Sequence, residues 1–188
     1  MEYNEIGDSD MTCIAVLKQD DYIYMSGERA VSNDSEINFL STPKIWKAGA
    51  YLFGYAGHLS ALTLYHTFTP PQPTKGLYGA DLDKFMYTKF LNYTTEFYET
   101  HSIKTDGLDL LIAVRDRIYE HSTDNMSLYT YDTDYNAIGS GSPFVMASLF
   151  STADSELSGR DRIKLAVESA CKFSPSCGGK IDILSAKI

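Results

Sequence analysis

Residues 108 to 116 read LDLLIAVRD, with unbroken apolar side chains from 110 to 114. Successive side chains of a strand point to opposite faces, so a strand that is apolar at every position has to be covered on both sides. This run excludes a single sheet with one wet face and requires layers above and below it. The rest of the chain supplies candidates for those layers. TCIAVLK at 12 to 18 and YIYMS at 22 to 26 are short β-prone runs separated by QDD, a hairpin pattern. KIWKAGAYLFGYAG at 44 to 57 is a second pair that turns near Ala48 and Gly49, reached through a polar connecting segment at 32 to 43. RIYEHS and SLYTY follow the central strand with more alternation, and KIDILSAKI ends the sequence as a strand.

Helical spacing occupies the gaps. Leu59, Leu62, Tyr65 and Phe68 recur every three residues until TPPQPT breaks the pattern. Leu82, Met86, Phe90, Tyr93 and Phe97 mark a longer helix that ends around HSIKTDG. AIGSGSPF makes a Gly-rich turn where Ser142 caps a helix with Pro143 at its first position, continuing to residue 153. After ADSELSG, the stripe Ile163, Ala166, Val167 and Ala170 predicts the last helix. Strands, two helices, strands, two helices and a strand suit an α+β four-layer αββα sandwich, two mainly antiparallel sheets stacked face to face and flanked by helices. At 188 residues this is one domain.

Composition narrows the function. A net charge of −9 argues against binding nucleic acid, which needs a basic face. No apolar run approaches the roughly 20 residues of a membrane helix, and MEYNEIGDSD has neither the basic start nor the apolar stretch of a signal peptide. A cytoplasmic protein with no membrane partner is expected. Cys13, Cys171 and Cys177 make an odd set with no metal-ligand spacing to the four histidines, so neither a disulfide framework nor a metal or other cofactor is expected.

The chemistry centres on Thr12. A threonine hydroxyl is a weak nucleophile that needs a base beside it, and an N-terminal threonine can use its own α-amine. That amine titrates near 7.7 to 8.0 in model peptides, and a nearby ammonium would shift it down. Lys44, 32 positions on, opens a strand that stacked sheets would bring alongside Thr12. Taken alone, Thr12 is an ordinary strand residue, Lys44 a solvated charge and Ser140 a turn residue. GSGS lacks the lysine and glycine spacing of a phosphate loop. Cys13 faces away from Thr12 and reads as core. His58 reads as a helix-start surface residue, and His66, His101 and His121 have no triad context. The aromatic stripe of the long helix reads as core plus a subunit contact.

Four stretches, TCIAVLKQDDYIYMSGE, Lys44, FGYAG at 53 to 57 and AIGSGSP at 137 to 143, together resemble the N-terminal-nucleophile hydrolases of the proteasome β-subunit type. The likeness runs from Thr12 to the last strand. It is strongest to the small bacterial proteasome-like threonine peptidase that works beneath an AAA+ unfoldase. The resemblance implies Thr12 as nucleophile, its freed amine as base, and Lys44 tuning both. It also implies Glu28 orienting the lysine, the Gly54 amide stabilising the oxyanion, and Ser140 bonding the amine. Implied too are a homo-oligomeric ring, protein or peptide substrates, and a leader at 1 to 11 ahead of a domain at 12 to 188. Met11 could be the start methionine, or the leader could be clipped autocatalytically, or it could stay. The chain departs from the family pattern at Glu28, where aspartate is usual and the extra methylene could overshoot the lysine. It departs again at Ser174 and Cys177, where an aspartate and a serine are usual, and at Met11, where glycine often stands. Glu28 and Ser174 motivate the alternative reading, a silent ring or shell component of a larger assembly such as a virion, with the leader as a contact arm.

Overall fold

A computed structural model describes residues 12–32 and 36–188. The segment before Thr12, read above as a leader or contact arm, lies outside the described residues. Two antiparallel sheets carry the architecture. One contains β1 (Ile14–Gln19), β2 (Tyr22–Gly27), β10 (Tyr135–Ile138) and β11 (Asp182–Lys187) in the order β10-β1-β2-β11. The other runs in chain order through β5 (Ile45–Ala48), β6 (Tyr51–Gly57), β7 (Leu108–Val114), β8 (Arg117–Ser122) and β9 (Ser127–Thr130). A small pair, β3 (Ala30–Ser32) and β4 (Ile37–Phe39), occupies part of the segment expected to be a plain connector.

Three apolar layers hold these parts together. Ile14, Val16, Met25, Ile45, Leu52, Leu111 and Ala113 fill the space between the sheets. Leu108, Leu110, Ile112 and Val114, the alternate residues of β7, pack instead beneath the first helical layer. The central strand is therefore buried on both faces, which is why its sequence does not alternate. That first layer consists of α1 (Ala61–Thr67), α2 (Gly79–Phe85), a π-helical turn (Met86–Phe90) and α3 (Leu91–Thr100). On the other side, α4 (Ser142–Ser151) and α5 (Gly159–Phe173) cover Cys13, Ala15 and Leu17 of β1. The arrangement is the expected αββα sandwich. Among the described residues no helix is long and apolar enough to cross a membrane.

Local departures have physical causes. Leu82, Met86, Phe90 and Phe97 are buried, but Tyr93 is 41% exposed and Thr94 points inward in its place. The widened π turn inserts an extra residue into the helical phase, and Thr94 returns its hydroxyl to the Phe90 carbonyl at 2.8 Å. Ser142 is the first residue of α4 rather than its cap, and Gly141 holds the cap position. Buried Arg162 closes the other end of α4, donating to the Leu149 carbonyl at 2.8 Å and to Gln19 Oε1 at 2.8 Å.

His121 of β8 is fully buried and stacks on Tyr98, with ring centroids 5.9 Å apart. Burial lowers its pKa from the ordinary 6.5, opposed by its hydrogen bond to the Ser127 carbonyl. Below that pH the unfolded chain binds a proton that the folded chain refuses, so stability falls as pH drops through this value. His121→Phe keeps a ring against Tyr98 and removes the proton site. Its melting temperature should fall less than that of the wild type between neutral pH and about pH 5. Equal losses in calorimetry would exonerate the imidazole.

Candidate active site

The two sheets bring the start of β1 against the start of β5. Alternation puts Thr12 on the same face as Ile14 and Val16, between the sheets, and Cys13 on the opposite face in the helical core. Gly27 and Gly54 allow the close approach there. A Cβ on Gly27 would lie 2.6 Å from Ile14 Cδ1, and one on Gly54 would lie 2.4 Å from Ile14 Cγ2. Thr12 is 3% exposed and Lys44 is 2% exposed. Lys44 Nζ donates to Thr12 Oγ1 at 2.6 Å, to Glu28 Oε1 at 3.0 Å and to the Ala30 carbonyl.

Those three acceptors use every hydrogen of an ammonium group, which has no lone pair left to take a proton. Burial pulls the Lys44 pKa down and Glu28 pulls it back up. The Glu28 carboxylate 3.0 Å away favours the charged form. Lys44 can therefore polarise the Thr12 hydroxyl but cannot deprotonate it, and the hydroxyl proton needs another acceptor.

Glu28 does not overshoot. It is completely buried, and beyond Lys44 it accepts from the backbone amides of Cys13 at 3.2 Å, Ala30 at 2.5 Å and Gly178 at 3.1 Å. Four donors saturate the carboxylate, which is the condition for keeping a charge buried. The extra methylene lets one side chain clasp the start of β1, the start of β3 and the loop after α5. Beside it, Arg29 forms a two-pronged pair with Asp182 at 2.5 and 2.9 Å that fastens β11 to the end of β2.

The Thr12 carbonyl is fixed from the other side. It accepts from the Gly141 amide at 3.2 Å, and a Cβ on Gly139 would lie 2.2 Å from its oxygen. Gly139 also has φ +86, a conformation that favours glycine. Gly139→Ala should cost about 1 to 3 kcal/mol and push the threonine off its position. Gly76 has φ +85 with open space around it, so Gly76→Ala separates backbone strain from crowding. Equal melting points for the two variants would deny Gly139 any special role.

Ser140, between these two glycines, bonds Ser176 Oγ at 2.9 Å, and Ser176 bonds Ser174 Oγ at 2.7 Å. Cys177 meets Cys13 across Gly141. This contact raises the Cys13 pKa, which burial raises further, and holds the Cys177 pKa down. Ser176, the Ala30 carbonyl and the Gly178 amide went unnoticed in the sequence, where SPSCGGK gives no sign that the chain folds back 150 positions onto Glu28.

Gly54 is not brought to Thr12. It lies in the middle of β6, paired with Ile45 on one side and Leu111 on the other. The Tyr55 amide bonds the Lys44 carbonyl at 3.1 Å, so alternation turns the Gly54 amide toward β7 and into the ladder. Its lack of a side chain makes room for Ile14. His58 begins the turn into α1, its Nδ1 accepting from the Ser60 amide at 3.0 Å.

No protein-family model matches the sequence, and no curated protein is similar to it. Solved structures are similar in fold. The BPH protein of Thiobacillus denitrificans has a TM-score of 0.74 at 16% identity, covering 94% of this chain and 98% of that one. The same protein in complex with epoxomicin gives 0.71 at 17% identity over the same shares. HslV from Trypanosoma brucei gives 0.72 at 16%, with 94% of this chain and 100% of that one covered. Over 94% of its length the chain has the fold shared by these proteins, the proteasome β-subunit-like αββα sandwich.

Proposed function

We propose that this chain is a threonine-type endopeptidase subunit, with residues 1–11 a leader whose removal frees the amine of Thr12 in a single domain over 12–188. One observation carries the reading: Thr12 Oγ1 is held at 2.6 Å by an ammonium whose hydrogens are all engaged. The base then has to be something other than Lys44, and a freed α-amine on the same residue is within reach. Thr12 Oγ attacks the peptide carbonyl while its proton passes to the amine. The amine returns the proton to the leaving nitrogen, and water releases the acyl group. Lys44 stabilises the developing alkoxide, and Glu28 holds Lys44 charged.

For the oxyanion donor we assign Gly57 in place of Gly54. It ends β6 with φ +97. Alternation turns its amide to the side where the Tyr55 amide meets Lys44, but past the end of β5. Loss of such a donor typically costs about 10² to 10³ in rate.

Assembly into a homo-oligomeric ring under an AAA+ unfoldase in the cytoplasm extends the same likeness. Phe150 and Phe173 support subunit contacts, being 74% and 67% exposed. Intact mass of the purified protein, with a fluorogenic peptide assay, tests the reading. The processed species should begin at Thr12, hydrolyse peptide and bind epoxomicin, as the T. denitrificans protein does. A chain that keeps residues 1–11 in every molecule and turns over nothing would support a second reading, a silent ring or shell component, possible also in a virion. The absence of a carboxylate at Ser174 favours that alternative.

A further inference from the structure

Two thiols meet behind Thr12, on the face of β1 turned away from the sheet interface, and the proposed reaction uses neither. Cys13 directly follows Thr12 and is fully buried, while Cys177 is 7% exposed in the loop after α5. Gly141 leaves the space in which they meet. A Cβ there would lie 2.6 Å from Cys177 Sγ and 2.9 Å from Cys13 Cβ. One side chain holds both backbones at this place, because Glu28 accepts from the Cys13 amide at 3.2 Å and from the Gly178 amide at 3.1 Å. The Cys13 thiol donates to the Cys177 sulfur, and both cysteines are free. The two differ in character. Hydrogen bonds from Cys13, Ser174 and Ser176 hold the Cys177 pKa below its ordinary value, against burial and Glu28. A thiolate is the reactive form of cysteine. The same contact and burial push the Cys13 thiol up.

We infer that Cys177 is a modification site for small peroxides, and that the oxidised sulfur closes a reversible disulfide with Cys13. Pro175 and Gly179, on either side of Cys177 in the loop, are exposed, so a peroxide approaches this sulfur from solvent. Cys177 sulfur attacks one oxygen of hydrogen peroxide and the O–O bond breaks. The departing hydroxide takes the proton shed by the Cys177 thiol and leaves as water, with Cys177 now a sulfenic acid. Cys13 sulfur attacks that sulfur, the S–O bond breaks, and the hydroxyl leaves with the Cys13 proton as a second water. Two thiols are oxidised to one disulfide while one peroxide is reduced to two waters. A dithiol reverses the bond by exchange. The disulfide adds a covalent tie to a junction that Glu28 otherwise holds by hydrogen bonds, one residue from Thr12. Cys171 competes poorly, being half-buried on α5 with its thiol pushed up to about 12, chiefly by burial.

The test treats the purified full chain with hydrogen peroxide, alkylates the remaining thiols and maps the fragments by mass. The wild type should lose two of its three alkylatable thiols and yield a Cys13–Cys177 cross-link within one chain, which dithiothreitol releases. Cys13→Ala removes the partner and should stop Cys177 at the sulfenic acid, which dimedone traps. Gly141→Ala keeps both thiols but sets a methyl group between them, and should abolish the cross-link. Melting curves identify a variant that fails to fold, and Cys13→Ala, which only removes a sulfur, carries the test if the glycine variant does. Three intact thiols in the oxidised wild type, or a disulfide to Cys171 in place of Cys13, overturns the inference. So does a folded Gly141→Ala that cross-links like the wild type. None of these measurements reads turnover, so the result is independent of the peptidase reading.

Discussion

Thr12→Ala should lower peptide hydrolysis by at least about 10³-fold, the scale seen when a nucleophile acting as part of a catalytic unit is removed. The fold should tolerate the change. Alanine is smaller than threonine, and Lys44 keeps two of its three acceptors, Glu28 and the Ala30 carbonyl. The melting point and the particle mass should therefore stay close to those of the wild type while turnover vanishes. Thr12→Ser retains the hydroxyl and should retain measurable activity, which separates loss of chemistry from loss of shape. Undiminished turnover by the alanine variant would remove Thr12 from the mechanism.

Glu28→Ala should be the most destabilising single change at the site. It leaves the Lys44 ammonium buried without its counter-ion, and three backbone amides lose their acceptor. Breaking a buried pair from one side costs about 3 to 5 kcal/mol, or roughly 10 °C in melting temperature for a chain of this size. Glu28→Asp keeps the charge but shortens the reach, so it should lose contact with one of its donors at about 1 to 3 kcal/mol. Denaturant midpoints rank the three proteins as wild type, then aspartate, then alanine. Should the aspartate variant equal the wild type, the longer side chain has no part in closing the site.

The sandwich was legible because burial writes itself into periodicity. β7 is apolar on both faces, and Ile163, Ala166, Val167 and Ala170 form a helical stripe that is fully buried. The pairing of Thr12 with Lys44 was legible because both open apolar strands on faces that meet. What escaped was polar or carried by the backbone. The segment before β5 hides β3 and β4 because each is only three residues long and Ile37 and Phe39 are exposed. β10 is four residues long, between an acidic turn and glycines, too short for a period to register. Glycine positions mislead for a related reason. FGYAG contains one glycine that packs and one that ends a strand, and only the hydrogen-bond register tells Gly54 from Gly57.

The clasp on Glu28 also sets an order of events during biosynthesis. Cys13 and Ala30 leave the ribosome early, but the third amide on that carboxylate belongs to Gly178, 150 positions downstream of Glu28. Asp182, which anchors Arg29, and the strand it begins are made later still. A nascent chain therefore lacks the finished charge arrangement around its threonine until nearly all of these residues have been translated. Synthesis itself therefore sets when the surroundings of Thr12 can close.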